Sequence, residues 1–223
     1  MNHREVSIRA GLVLLPGTLA VPAHPRGVVL FAHGSGSSRA SPRNQLVADE
    51  LIAAGFATLL FDLLTDQEAQ DRARVFDIPL LATRLAAATA WVRANPGTER
   101  LPIGYFGAST GAAAALTAAA ADRSVAAVVS RGGRPDLADT VLPEVRAATL
   151  LIVGERDHDV LLLNRQALAL LSSASSKSLA IVARATHLFE EPGCLQEVVK
   201  LAQSWFTRFL TASSTKKEVH HVP

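Results

Sequence analysis

A serine attacks an acyl carbon when a histidine takes its proton and an acid orients that histidine. One serine in this chain stands in a setting suited to that chemistry. Gly107-Ala108-Ser109-Thr110-Gly111 reads G-x-S-x-G, follows the apolar run 101–106 and opens the Ala-rich segment 110–121. A serine on a tight turn between strand and helix lifts its hydroxyl above a sheet, and the residues two before and two after it must be small. Gly107 and Gly111 meet that need. A helix starting at Thr110 would also aim its free N–H groups and positive dipole end at the site. Small residues can form such a pattern by chance, and the flanking strand and helix are what favour the catalytic reading.

Seven histidines could supply the base. His3, His24, His220 and His221 lie at polar ends or ahead of the core strands, and His33 belongs to a separate loop. His158 and His187 remain. His187 follows the last apolar run, 178–182, on a loop able to reach over the site, and it is the expected base. The acid should come from a strand end between Ser109 and His187. The run 149–153 ends in Gly154-Glu155-Arg156-Asp157-His158-Asp159-Val160. Asp157, three residues past the strand-breaking Gly154, is the expected acid. Asp159 competes with it but also suits an N-cap, and Glu155 sits too near the strand end. Asp-His-Asp also invites a metal reading, but adjacent residues seldom converge on one ion and H-E-x-x-H is missing. No metal and no cofactor is expected.

The oxyanion formed by attack needs fixed N–H donors. Thr110, just after the nucleophile, should give one, and the loop His33-Gly34-Ser35-Gly36-Ser37-Ser38 the other, with Ser35 preferred and Gly36 next. His33 is expected to brace this loop and to transfer no proton. His33, Gly34, Gly36, Arg39, Arg43 and Arg131 are candidate substrate contacts. Two arginine groups, Arg39 with Arg43 and Arg131 with Arg134, could face the crevice and favour an acidic substrate. Equally they could be solvated or paired with Asp62, Asp66 or Asp136. Cys194 is expected to be packed, and as the one cysteine it can form no internal disulfide.

The elements that must hold these residues alternate in type. The runs 27–32, 56–61, 101–106, 125–130, 149–153 and 178–182 are apolar on nearly every residue, the habit of strands covered on both faces. Between them lie helical segments: 41–54, 79–94, 110–121, 164–172 and 194–210. Asp77 is a plausible N-cap for the second of these, and Asn95-Pro96-Gly97 stops it. Segments 5–8 and 12–15 read as an antiparallel pair joined near Ala10-Gly11. The expected fold is thus α/β: about eight strands, mainly parallel, with helices on both faces and the site at the carboxyl ends of the strands.

With 223 residues the chain suits one domain, expected over 1–212, with a polar tail over 213–223. Hydrophobic residues form 49% and charged ones 19%, which excludes disorder as the main state. The 22 Lys and Arg are scattered, giving a net charge of only +2, so nucleic-acid binding is not expected. The most apolar stretch, 111–121, falls short of the ~20 residues of a membrane span. The start Met-Asn-His-Arg-Glu-Val lacks the apolar run of a secretory signal, and a cytoplasmic monomer or homodimer is expected.

The loop 33–38 (HGSGSS), the turn 107–111 (GASTG), the segment 154–160 (GERDHDV) and His187 together resemble the α/β-hydrolase superfamily, and within it the small dienelactone-hydrolase-like proteins. The resemblance runs from about Val6 to Leu210. It implies a serine hydrolase with Ser109, Asp157 and His187 as triad, in the chain order of that fold. Dienelactone hydrolases carry a cysteine nucleophile where this chain has Ser109, which turns the expectation toward carboxylic esters or thioesters. Few residues separate Arg131 from Ala147, where relatives insert a cap, so an open, capless site is expected.

Overall fold

The computed structural model describes residues 2–210. The expected tail over 213–223, with His220 and His221, lies outside them. The chain opens with an antiparallel pair, β1 (Asn2–Ala10) and β2 (Val13–Val21). Then β3 (Val28–Ala32) leads through α1 (Pro42–Ala53) to β4 (Ala57–Phe61). The short α2 (Arg72–Val75) and long α3 (Ile78–Ala94) precede β5 (Ile103–Ala108). Next come α4 (Thr110–Ala121), β6 (Val125–Arg131) and β7 (Ala148–Gly154). The chain closes with α5 (His158–Leu170), β8 (Lys177–Val182) and α6 (Cys194–Phe209).

The strands form one eight-stranded sheet in the order β1-β2-β4-β3-β5-β6-β7-β8 among the described residues. Only β2 runs against its neighbours. The reversal of order around β3 opens a crevice between the ends of β3 and β5, where such sheets place their sites. Alternating side chains build two cores. Leu30, Tyr105, Val128 and Leu151 pack beneath α3 and α4. Phe31, Phe106, Val129 and Ile152 pack beneath α1 and α6. Burial on both faces is why β3 to β7 read as unbroken apolar runs, whereas β8, expected to be covered on both faces, is an edge strand with Ile181 exposed.

Several boundaries differ from the sequence expectation. The two opening strands are each nine residues long. Edge strand β1 exposes Glu5, Ser7 and Arg9 while Ile8 and Ala10 are buried, so half its residues look like loop. Helix α5 begins at His158, six residues before 164, with Asp157 and not Asp159 as N-cap. Asp77 caps α3 as expected, its carboxylate accepting from Leu80 N at 2.9 Å. Residues Pro135–Glu144 form a 3-10 helix packed on α4 and α5, with no separate cap.

Candidate active site

Strand β5 passes directly into α4 through Ser109, which holds φ 50° and ψ −121°. A non-glycine residue there carries strain of about 1–3 kcal/mol, which the surroundings must enforce. They do so on every side. A Cβ on Gly111 would lie 2.1 Å from Ala32 O, and one on Gly107 would lie 2.5 Å from Ala112 Cα. The helix therefore crosses the end of β3 at a distance that only glycine allows. Ser109 N donates to Arg131 O at 3.3 Å, and Ser109 O accepts from Arg134 N at 3.1 Å. The turn is thus pinned by the end of β6.

Loop 33–38 lies against this turn: a Cβ on Gly34 would come within 2.9 Å of Ser109 Cβ. Gly36 has φ 67°. Ser35 N donates to Thr110 Oγ1 at 3.0 Å, so the N–H expected to face an oxyanion is engaged by a hydroxyl. His33 is fully used. Its Nε2 accepts from Leu63 N at 3.1 Å, which leaves the proton on Nδ1 to bond Gly34 O at 3.0 Å. Burial pushes its pKa below the ordinary value, keeping the ring neutral. Beside this loop a cleft of about 150 Å³ is lined by Leu63, Leu64, Val75, Leu81 and Thr110.

At the far side, His187 Nδ1 lies 2.6 Å from Asp157 Oδ2. A carboxylate only accepts, so Nδ1 carries a proton, and in the neutral ring Nε2 keeps its lone pair. Asp157 stands at the N-cap of α5, yet its side chain makes no capping bond and turns to the histidine instead. The His187 loop is held by close approach of glycines. A Cβ on Gly154 would meet Ala185 O at 2.4 Å, and one on Gly132 would meet His187 O at 3.2 Å and His187 Cε1 at 3.5 Å. Arg184 and Phe189, either side of His187, have φ of 65° and 57°. Segment 131–134 therefore touches both the Ser109 turn and the His187 loop. Sequence reasoning valued it for its arginines and missed this bridging role, although the paired Gly132-Gly133 at a strand end is its signal.

The arginine candidates divide. Arg39 pairs with Glu5 at 2.7 Å and Asp62 at 3.4 Å, at the edge of a cleft of about 530 Å³. Arg134 makes a two-pronged pair with Asp136, at 2.8 and 2.7 Å. Arg43 pairs with Glu190, a partner the sequence did not suggest, at 2.8 Å. Arg131 is buried, with no hydrogen bond to its Nε or Nη1 among the described residues. Cys194 is buried, its Sγ 3.6 Å from Ala183 O. Among the described residues no cluster of His, Cys, Asp or Glu could hold a metal, and no helix is long and apolar enough to cross a membrane.

A sheet in this order, with a serine turn after β5 and an Asp–His pair beyond β7 and β8, defines an α/β hydrolase. The chain belongs to the α/β hydrolase domain family, whose pattern matches residues 25–198. It is similar to the crystal structure of a dienelactone hydrolase from Anabaena variabilis, with 54% identity and a TM-score of 0.89 over 94% of this chain and 98% of that one. An esterase of Pyrococcus furiosus shares the fold at 17% identity and a TM-score of 0.78, over 94% and 93% of the two chains. The chain is also 59% identical over 207 residues to proteins of two Mycobacterium tuberculosis strains that carry the provisional name phosphoribosyl transferase. That match covers 92% of this chain and 46% of each of those, so the chain spans about half the length of the curated relatives it matches.

Proposed function

We propose that this hydrolase cleaves small carboxylic esters through an acyl-enzyme on Ser109. The Ser109 Oγ–H proton passes to His187 Nε2 as Oγ bonds the acyl carbon. The C–O bond to the leaving alcohol then breaks, and His187 returns the proton to that oxygen. Water, deprotonated by the same histidine, frees the acid and restores Ser109. Asp157 fixes the tautomer and stabilises the imidazolium. The Thr110 N–H, at the free start of α4, is one oxyanion donor. The Ser35 N–H is the second, shared with Thr110 Oγ1.

The observation that carries this reading is the Asp157–His187 bond, which leaves Nε2 available as a base. Loss of p-nitrophenyl acetate hydrolysis in Ser109→Ala, with fluorophosphonate labelling of Ser109 in the wild type, is the expected result. Retained turnover in that variant would overturn it, and a wild type neither labelled nor active would make the chain a binding protein on a hydrolase fold. A lactone is an internal ester open to the same attack. The 54% identity to a protein described as a dienelactone hydrolase favours it as a second reading, and thioesters follow by the same chemistry. We assign no transferase step to this chain. The hydrolase pattern spans its residues 25–198, whereas over half of each protein with the transferase name lies outside the match.

A further inference from the structure

Arg131 ends β6 with its guanidinium folded into the protein. It is 8% exposed, and its Nε and Nη1 are buried without a hydrogen-bond partner among the described residues. Buried guanidinium groups are normally paired, because each unmet N–H forfeits a bond to water. Alternation along β6 puts Arg131 on the same face as Ala127 and Val129, beneath α1 and α6. The charge that acts on it there belongs to another cation, Arg43. Burial first, and then Arg43, pull the Arg131 pKa down to about 10, so it stays cationic at neutral pH.

Arg43 stands in the first turn of α1, and its Nε is also buried and unpartnered among the described residues. That turn holds no acidic residue, and Ser41 makes no side-chain cap. The positive end of the helix dipole therefore adds to the two arginines. The anion that Arg43 holds is Glu190, whose side chain is 62% exposed, on the loop that carries His187. One buried arginine with unmet donors, a second, half-buried arginine whose Nε is also unmet, and one displaceable surface carboxylate thus converge beside a helix start.

We propose that Arg131 and Arg43 bind a compact oxyanion, a carboxylate or a phosphate, which enters from the Arg43 side and takes the place of Glu190. The site adjoins the candidate catalytic machinery: Arg131 O accepts from Ser109 N, and the next residue, Gly132, packs against His187. An ester that also carries an oxyanion could thus be held by the arginines while its acyl carbon meets Ser109. That substrate role, unlike the anion site, rests on the esterase reading.

The test is titration of inorganic phosphate and of glutarate into the whole chain, followed by calorimetry and melting temperature. Saturable binding is expected, weakened about tenfold or more in Arg43→Gln and Arg131→Met and tightened in Glu190→Gln. If Arg131→Met fails to fold, Arg43→Gln decides. Neither anion binding the wild type, or unchanged affinity in Arg43→Gln, overturns the proposal. A second arm compares the p-nitrophenyl monoester of glutaric acid with neutral p-nitrophenyl pentanoate. Preference for the anionic ester, lost in Arg43→Gln, places the oxyanion on the substrate. Phosphate binding with equal turnover of the two esters identifies a free anion. Phosphate binding with no turnover of either ester removes the esterase reading and leaves the oxyanion site standing.

Discussion

Asp157 Oδ2 and His187 Nδ1 meet at 2.6 Å, although Asp157 occupies a helix N-cap where its carboxylate would ordinarily bond its own backbone. The helix gives up that cap, worth about 1 kcal/mol, to orient the imidazole. Asp157→Asn should leave the wrong histidine tautomer in place and lower kcat for p-nitrophenyl acetate by roughly ten-thousand-fold. The melting temperature should change little, since no capping bond is lost. Asp159 is exposed in the first turn of the same helix, so Asp159→Asn should retain near wild-type turnover. A reversal of the two phenotypes would assign the acid to Asp159.

The approach of α4 to β3 makes a stability prediction. A Gly111→Ala methyl would meet Ala32 O and His33 O, at 2.1 and 2.4 Å, and backbone cannot swing aside as a side chain can. The expected cost is at least about 3 kcal/mol, the upper end of ordinary overpacking. In a chain of this size that lowers the melting temperature by roughly 6–12 °C. Gly34→Ala adds a contact with the nucleophile itself, because its methyl would press on Ser109 Cβ at 2.9 Å beside Ala108 O at 3.0 Å. That strain falls on the Ser109 turn, so a fall in kcat should accompany the loss of stability. Calorimetry beside esterase kinetics separates the two outcomes.

His33 gives the fold a pH dependence of known sign. Its folded pKa lies below the usual 6.5 because burial disfavours the imidazolium. The unfolded chain therefore binds the proton first, and stability falls as pH drops below 6.5 toward the folded value. The slope is at most about 1.4 kcal/mol per pH unit for one proton. His33→Gln should flatten urea-denaturation stability between pH 6.5 and the carboxylate range near 4.5, and lower it at pH 8 through loss of the Leu63 and Gly34 bonds. An unchanged slope would place the sensitivity in another group.

The strands beneath the site were legible because burial on both faces leaves almost no polar residue in them. Helix α4 is legible to both ends, since Ser109 and the Ala run announce its start. Helix α5 is not. His158 and Asp159 look like loop, and the residue at its cap gives its side chain to tertiary contact, so the local capping signal points two residues too late. Edge strand β1 reads short in the sequence for a similar reason, as its solvent face is polar. The Ser35 N–H bond to Thr110 Oγ1 joins residues 75 apart in sequence, and no local pattern encodes it. Arg131 was hardest to place. A charge at a strand end reads as solvent-facing, and only the parity of β6, which turns it to the face beneath α1 and α6, shows that it is buried.

Gly132 tests whether the end of β6 sets the histidine's position. Its φ of 51° already disfavours a side chain, and an added Cβ would face His187 O at 3.2 Å and His187 Cε1 at 3.5 Å. The second contact is ordinary and the first is tight, so the His187 loop must yield by a few tenths of an ångström. Gly132→Ala should therefore cost about 1–2 kcal/mol, from left-handed backbone strain in a residue with a Cβ. Displacement of Nε2 should appear separately, as a drop in kcat with KM for p-nitrophenyl acetate nearly unchanged, because the ring acts on the bond-making step. Gly193 is the control: its φ of 84° is also left-handed, but a Cβ there meets nothing within 4 Å. Gly193→Ala should show a similar stability cost with kcat preserved. Equal losses of kcat in both variants would mean that backbone strain alone is responsible and that Gly132 does not position His187.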